Sequence, residues 1–181
     1  MRVLASGQPE SLEGHAARAF RELCNVVEYL HRENLIHGNL TPDVVLWSSS
    51  CILQLIDLGH CEERLTGHPF WHDKFHGTPI YSSPEHSRGR LAPESDYFVV
   101  GILLFEHLTG RNPLRPESPS ACLDEISARI DEGLPAQSEV ELARAPSRLR
   151  HSIQSLLSTP LATRRSGWKE LREFLEAAQR E

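Results

Sequence analysis

Residues 35–59 read LIHGNLTPDVVLWSSSCILQLIDLG. Two apolar runs in this stretch, Val44-Val45-Leu46 and Ile52-Leu53-Gln54-Leu55-Ile56, predict a short buried β-hairpin. His37, Gly38 and Asn39 are common turn residues and mean little alone. Order and spacing along the chain give them weight. Asp57-Leu58-Gly59 closes the stretch, and GTPIYSSPE follows at 77–85. Upstream, Ala16, Ala19, Phe20, Leu23, Val26, Val27 and Leu30 recur at intervals of three and four, predicting an amphipathic helix over 13–31. Ser11 or a neighbour would cap it, with Glu13 favourable in the first turn. Downstream, 94–113 reads ESDYFVVGILLFEHLTGRNP, whose apolar run suits a core helix, and after Arg164-Arg165-Ser166 the residues Trp168, Leu171, Phe174 and Leu175 should dock a closing helix. Between them lie helical patterns over 121–131 and 145–157, with Leu123, Ile126, Ile130, Leu149, Ile153, Leu156 and Leu157 facing inward.

Taken in order, these segments resemble the catalytic domain of Ser/Thr protein kinases. Residues 37–44 resemble the catalytic loop, 57–59 the D-F-G motif, 77–85 the G-T-x-x-Y-x-x-P-E end of the activation segment, and 94–113 the central helix. The resemblance implies a mainly α fold: the large C-terminal lobe, helical with a short β-hairpin near the catalytic loop, and the small N-terminal lobe absent. Residues 1–181 would form that portion of one domain, with a hinge remnant at 1–10, a catalytic-loop remnant at 35–46 and an activation segment at 57–85. His37, Gly59, Glu85, Asp96 and Arg165 stand at architectural positions. Asp96 would cap the central helix and hold the backbone of the His37 turn, and Glu85 would pair with Arg165. Leu58 in place of Phe would keep an apolar contact.

The chemical positions depart from the family. Asn39 stands where an Asp accepts the substrate hydroxyl's proton, and a neutral amide has no useful proton affinity near pH 7. Thr41 replaces the Lys that faces the transferred phosphate. Val44 replaces the Asn that holds a metal ion, offering hydrocarbon to a cation that demands oxygen. Asp43, one residue earlier, would restore that ligand only if the register shifted. Asp57 remains as the position for a metal or Mg-ATP, although one exposed carboxylate is a poor site. Gly38 replaces the Arg that clamps a phosphorylated loop, so that switch should be absent, and glycine should loosen the backbone there. Ser82, Ser83 and Ser87 remain as exposed modification candidates. A separate set, His60, Cys61, His68, His72 and His76, has residue types that suit zinc, but Gly67, Pro69 and Gly77 interrupt any helix through it.

These departures imply a pseudokinase: a catalytically impaired module that scaffolds or allosterically regulates by binding a protein partner, with no cofactor expected. The alternative is an active Ser/Thr protein kinase that transfers phosphate from Mg-ATP when a longer form supplies the small lobe. The 181 residues, 39% of them hydrophobic, suit a single domain. The apolar run 97–105 is too short to span a bilayer, so no membrane insertion is expected. A net charge of -6 argues against nucleic acid as a partner. Cys24, Cys51, Cys61 and Cys122 lie scattered, which favours free thiols in the cytoplasm or nucleus.

Overall fold

The structure, a computed structural model, describes residues 14–47, 52–63, 70–71, 77–115, 128 and 140–178. Among these the architecture is mostly helical, with short two-stranded antiparallel sheets. Helix α1 (Gly14–Arg32) buries Ala19, Phe20, Leu23, Val27 and Leu30, with Cys24 beside them, as the three-and-four spacing requires. It ends where Asn34 turns left-handed, φ 60, and its N–H reaches the His31 carbonyl. The cap read at Ser11 and the acidic Glu13 lie outside the described residues.

Strand β1 (Leu35–Ile36) follows, then β2 (Val45–Trp47) and β3 (Leu53–Leu55), which pair antiparallel with Leu46 opposite Gln54. This is the expected hairpin, but only one face is buried. Val45 and Leu53 enter the core, whereas Leu46, Ile52, Gln54 and Ile56 face outward, because α1 covers one side alone. Strand β4 (Glu62–Glu63) lies on β1, and β5 (Phe70–Trp71) pairs with β6 (Arg90–Leu91). A single turn of helix, α2 (Pro84–Ser87), precedes β6.

Helix α3 (Pro93–Thr109) is buried around most of its circumference and forms the centre of the core. Asp96 is its fourth residue and does not cap it. Ser95 takes that role, its hydroxyl accepting from the Ala92 N–H at 3.1 Å. At the other end Gly110 adopts φ 76, and its N–H closes on the Glu106 carbonyl at 2.8 Å. Helices α4 (Ser147–Leu156) and α5 (Leu161–Ala177) pack against each other and against α3. Leu149, Ile153, Leu156, Leu157, Trp168, Leu171 and Leu175 are buried as read, while Phe174 is half-buried. The pattern over 121–131 lies outside the described residues except for Ala128, which is helical. Arg164-Arg165-Ser166 falls inside α5, since Pro160 lets the helix begin at Leu161.

Two glycines allow α4 to approach its neighbours. A Cβ on Gly101 would sit 2.9 Å from the Leu156 Cβ, and one on Gly167 would sit 2.5 Å from the Ser155 Cβ and 3.1 Å from the Leu156 nitrogen. Gly167→Ala should therefore cost about 1–3 kcal/mol through overpacking. Urea denaturation should show a lower midpoint with an unchanged slope. Adding Ser155→Gly should recover only part of the loss, because backbone atoms also crowd the site.

Candidate functional site

The 37–41 turn is fastened from below by Asp96. Its Oδ2 accepts from the His37 N–H at 3.0 Å and meets His31 Nε2 at 2.8 Å, and its Oδ1 accepts from the Gly38 N–H at 3.0 Å. α3 thus aligns the end of α1 and the loop through one carboxylate that is 1% exposed. Gly38 is buried at φ 73 with its N–H engaged, so it fixes the backbone and does not loosen it.

Asn39 projects from this turn toward the 77–83 segment. Its Oδ1 accepts both the Thr78 N–H and the Thr78 hydroxyl, each at 3.1 Å. A backbone N–H can only donate, so the amide oxygen must face Thr78 and Nδ2 must face away. The side chain at the base position is a neutral latch between the two segments. Thr41 is buried at 7% exposure, and its carbonyl accepts from the Val44 N–H. Val44 lies in the hydrophobic core, and Asp43 is exposed on the turn that this anchoring orients.

Asp57 is exposed and left-handed, φ 60, ahead of a 3-10 turn, Leu58–His60. Leu58 is 51% exposed, so the apolar contact read for it is not made: the turn after Asp57 carries its side chain outward. Gly59 is also exposed, and a Cβ there would make only an ordinary contact with Asp57 Oδ1 at 3.5 Å. Burial, then the Asp96 and Asp57 carboxylates, push the Cys61 thiol up to about 11, against the thiolate that zinc requires. His68, His72 and His76 lie outside the described residues. Among the described residues no group of three or more His, Cys, Asp or Glu side chains gathers. Magnesium is bound through several oxygen ligands. Among the described residues, a core valine at 44 and the Asp57 carboxylate alone do not make up such a ligand set.

The 77–85 segment is docked on α3. The Tyr81 hydroxyl donates to Glu106 at 2.7 Å, and the Asn112 side-chain amide donates to the Ile80 carbonyl at 3.1 Å. Burial and then the Glu106 hydrogen bond push the Tyr81 phenol well above its ordinary range. Ser82 and Ser83, read as exposed, are buried, because Ser82 bonds the Thr78 carbonyl and Ser83 caps α2 through the His86 N–H. Ser87 is half-buried and donates to the Pro84 carbonyl.

Glu85 forms the buried ion pair, but with Arg164, not Arg165. Its Oε1 accepts from Arg164 Nη1 at 2.7 Å, Ser95 at 2.6 Å and Ser83 at 2.7 Å. Burial pushes this carboxyl up, yet the Arg164 hydrogen bond and charge and the two hydroxyls outweigh it, leaving the pKa below its usual value. Arg164 is fully buried and also donates to the carbonyls of Ser158, Thr159 and Glu94, with its guanidinium over the Phe98 ring. Arg165 is largely exposed and pairs with Glu94. Helical phase explains the difference: Arg164 shares a face with Gly167, Trp168, Leu171 and Leu175, and Arg165 does not. That periodicity was available in the sequence.

A second brace escaped the sequence reading. Tyr97 stacks on Trp168 at 4.1 Å between centroids, and Trp168 Nε1 donates to Glu28, which also meets Arg172. Burial, followed by the nearby acidic groups, raises the Tyr97 phenol to about 12.

Residues 4–174 match the protein kinase domain family, and the chain belongs to it. It is similar to the cGMP-dependent protein kinase egl-4 of Caenorhabditis briggsae, 35% identical over 106 residues, which are 58% of this chain and 14% of that protein. It also resembles a probable serine/threonine-protein kinase of Dictyostelium discoideum, 28% identical over 136 residues, 75% of this chain and 26% of that protein. Protein kinase C zeta type of Oryctolagus cuniculus is 36% identical over 102 residues, 56% of this chain and 17% of that protein. The matched regions are thus small parts of these relatives. The mostly helical fold with a hairpin beside the catalytic-loop position is that of a kinase-like large lobe. Among the described residues no helix is long and apolar enough to cross a membrane.

Proposed function

We propose that this chain is a catalytically impaired kinase-like module, a pseudokinase, that binds a protein partner as a scaffold or allosteric regulator and carries no resident cofactor. Asn39 supports this most directly: the residue at the base position spends its only acceptor on Thr78 and has no charge with which to take a proton. Burial of Val44 at the metal-binding position agrees with it. The scattered cysteines, with Cys24 and Cys61 free, fit action in the cytoplasm or nucleus.

An active Ser/Thr kinase using Mg-ATP is favoured by one observation, the exposed Asp57 carboxylate, and by the dominance of positioning and electrostatics in phosphoryl transfer. A thermal-shift titration separates the two, since a ligand bound only by the folded state raises stability as RT ln(1 + [L]/Kd). The expected result is a cooperative melt that millimolar ATP, with or without magnesium, leaves unmoved. A magnesium-dependent shift abolished by Asp57→Ala would replace the pseudokinase assignment with the active one.

A further inference from the structure

A cavity of about 420 Å³ lies where the N-terminal half of α1 meets the C-terminal end of α5, at the end of α1 remote from the catalytic loop. That volume falls within the roughly 300–1,000 Å³ of small-molecule sites. Gly14, Ala17, Arg18 and Arg21 line it from α1, and their spacing of three and four puts them on one helix face. Gly14 and Ala17 take up little of the space, and two arginines stand beside it. The buried Ala17 and Leu175 give it an apolar floor.

Arg21 lacks the acceptors that a comparably shielded arginine has. Its side chain is 17% exposed and meets Glu22 at 3.6 Å through Nη2, while Glu22 also accepts from Asn25. Arg172, 18% exposed, meets both Glu28 and Glu176. Among the described residues the exposed Arg18 has no acidic partner. A guanidinium carries five N–H donors, so one loose contact leaves most of those on Arg21 unused. Shielded donors without an acceptor are costly, and an anion in the cavity would relieve that cost.

Two guanidiniums match a dianion with three acceptor oxygens better than a single carboxylate. We propose that this cavity binds a phosphate monoester with a compact apolar substituent, the phosphate on Arg18 and Arg21 and the substituent over Ala17 and Leu175. The site depends neither on the catalytic loop nor on the protein-binding function. A free organic phosphate and a phosphatidate headgroup share this chemistry, and the experiment separates them.

The test is methyl NMR of the full chain titrated with phenyl phosphate, inorganic phosphate and benzoate. Saturable shifts at the Ala17, Ala178 and Leu175 methyls are expected with phenyl phosphate. Inorganic phosphate, which lacks the apolar group, and benzoate, which lacks the second charge, should each bind at least about tenfold more weakly. Arg18→Gln, on an exposed position, should weaken phenyl phosphate by about tenfold with the melt unchanged, as loss of one charge-assisted hydrogen bond requires. Arg21→Lys keeps the charge but loses the planar fork, and should weaken it as well. Vesicles of phosphatidylcholine with and without phosphatidic acid separate the two sources. Sedimentation with the phosphatidic acid vesicles that Arg18→Gln abolishes assigns the headgroup, and its absence beside phenyl phosphate binding assigns the free ester. No shift at millimolar phenyl phosphate, undiminished shifts in both variants, or equal affinity for either control anion overturns the proposal. Shifts at Leu46 and Ile56 in place of Leu175 also overturn it, because the ester then sits beside the catalytic loop.

Discussion

Arg164→Ala should lower folding stability by about 3–5 kcal/mol, the usual cost of removing one partner from a buried ion pair. Four features make this side chain sensitive: it is fully buried, it neutralises Glu85, it satisfies three backbone carbonyls and it covers Phe98. Arg165→Ala removes a largely exposed arginine from the buried Glu94 carboxylate and should cost less, about 1–3 kcal/mol. Urea denaturation of the two variants side by side distinguishes the assignments, and equal losses would contradict the structure. The pH dependence carries a second signature. In the parent the folded Glu85 pKa lies below its usual 4.5, so its stabilisation is present above that value and is lost as pH falls through the lower folded pKa. In Arg164→Ala, burial is opposed only by Ser83 and Ser95, and the folded pKa rises. That contribution then reverses sign: it is present below about 4.5 and lost as pH rises through the new folded pKa. A double replacement of Glu85 and Arg164 by methionine should recover only part of the loss, because the carbonyls of Ser158, Thr159 and Glu94 still lack their donor.

Asp96→Ala should be comparably damaging, at about 3 kcal/mol or more, because the His37 and Gly38 N–H groups are buried and each orphaned donor costs about 1–3 kcal/mol. His31 loses its partner at the same time. Hydrogen exchange gives the specific readout. Amides of 37–41 should exchange far faster in Asp96→Ala, and Thr78 should follow once Asn39 is no longer held in register. Protection in the α4 and α5 pair should change least, since Gly167 and Leu171 pack there without Asp96. Uniform loss across the chain would mean that Asp96 supports the fold globally and not the loop.

Much of the fold was legible because local periodicity and burial agree. The three-and-four spacing from Ala19 to Leu30 makes α1 a helix in almost any setting, and the continuous apolar run through Val99 and Leu104 requires a helix enclosed on most sides. The hairpin was legible as two apolar runs. Its single buried face was not, because the number of layers that cover a two-stranded sheet is a tertiary property.

At the site, the sequence alone determined which chemical groups are present. An amide at 39, a hydrocarbon at 44 and a carboxylate at 57 have proton and metal affinities that folding modulates but does not create. Helical phase, legible in the spacing of Gly167, Trp168, Leu171 and Leu175, put Arg164 and not Arg165 on the inward face, about 100° away, but bringing Glu85 to that face was the work of the tertiary structure. It alone made Asn39 a latch, by bringing Thr78 to it across 39 positions of chain. It alone made Asp96 the anchor of the loop and not a helix cap, because α3 begins three residues earlier than Asp96 and its fourth position points at the 37–38 turn. Hydrogen bonds between distant segments depend on direction and on distances of a few tenths of an ångström, and no spacing along one chain encodes those until the core has packed.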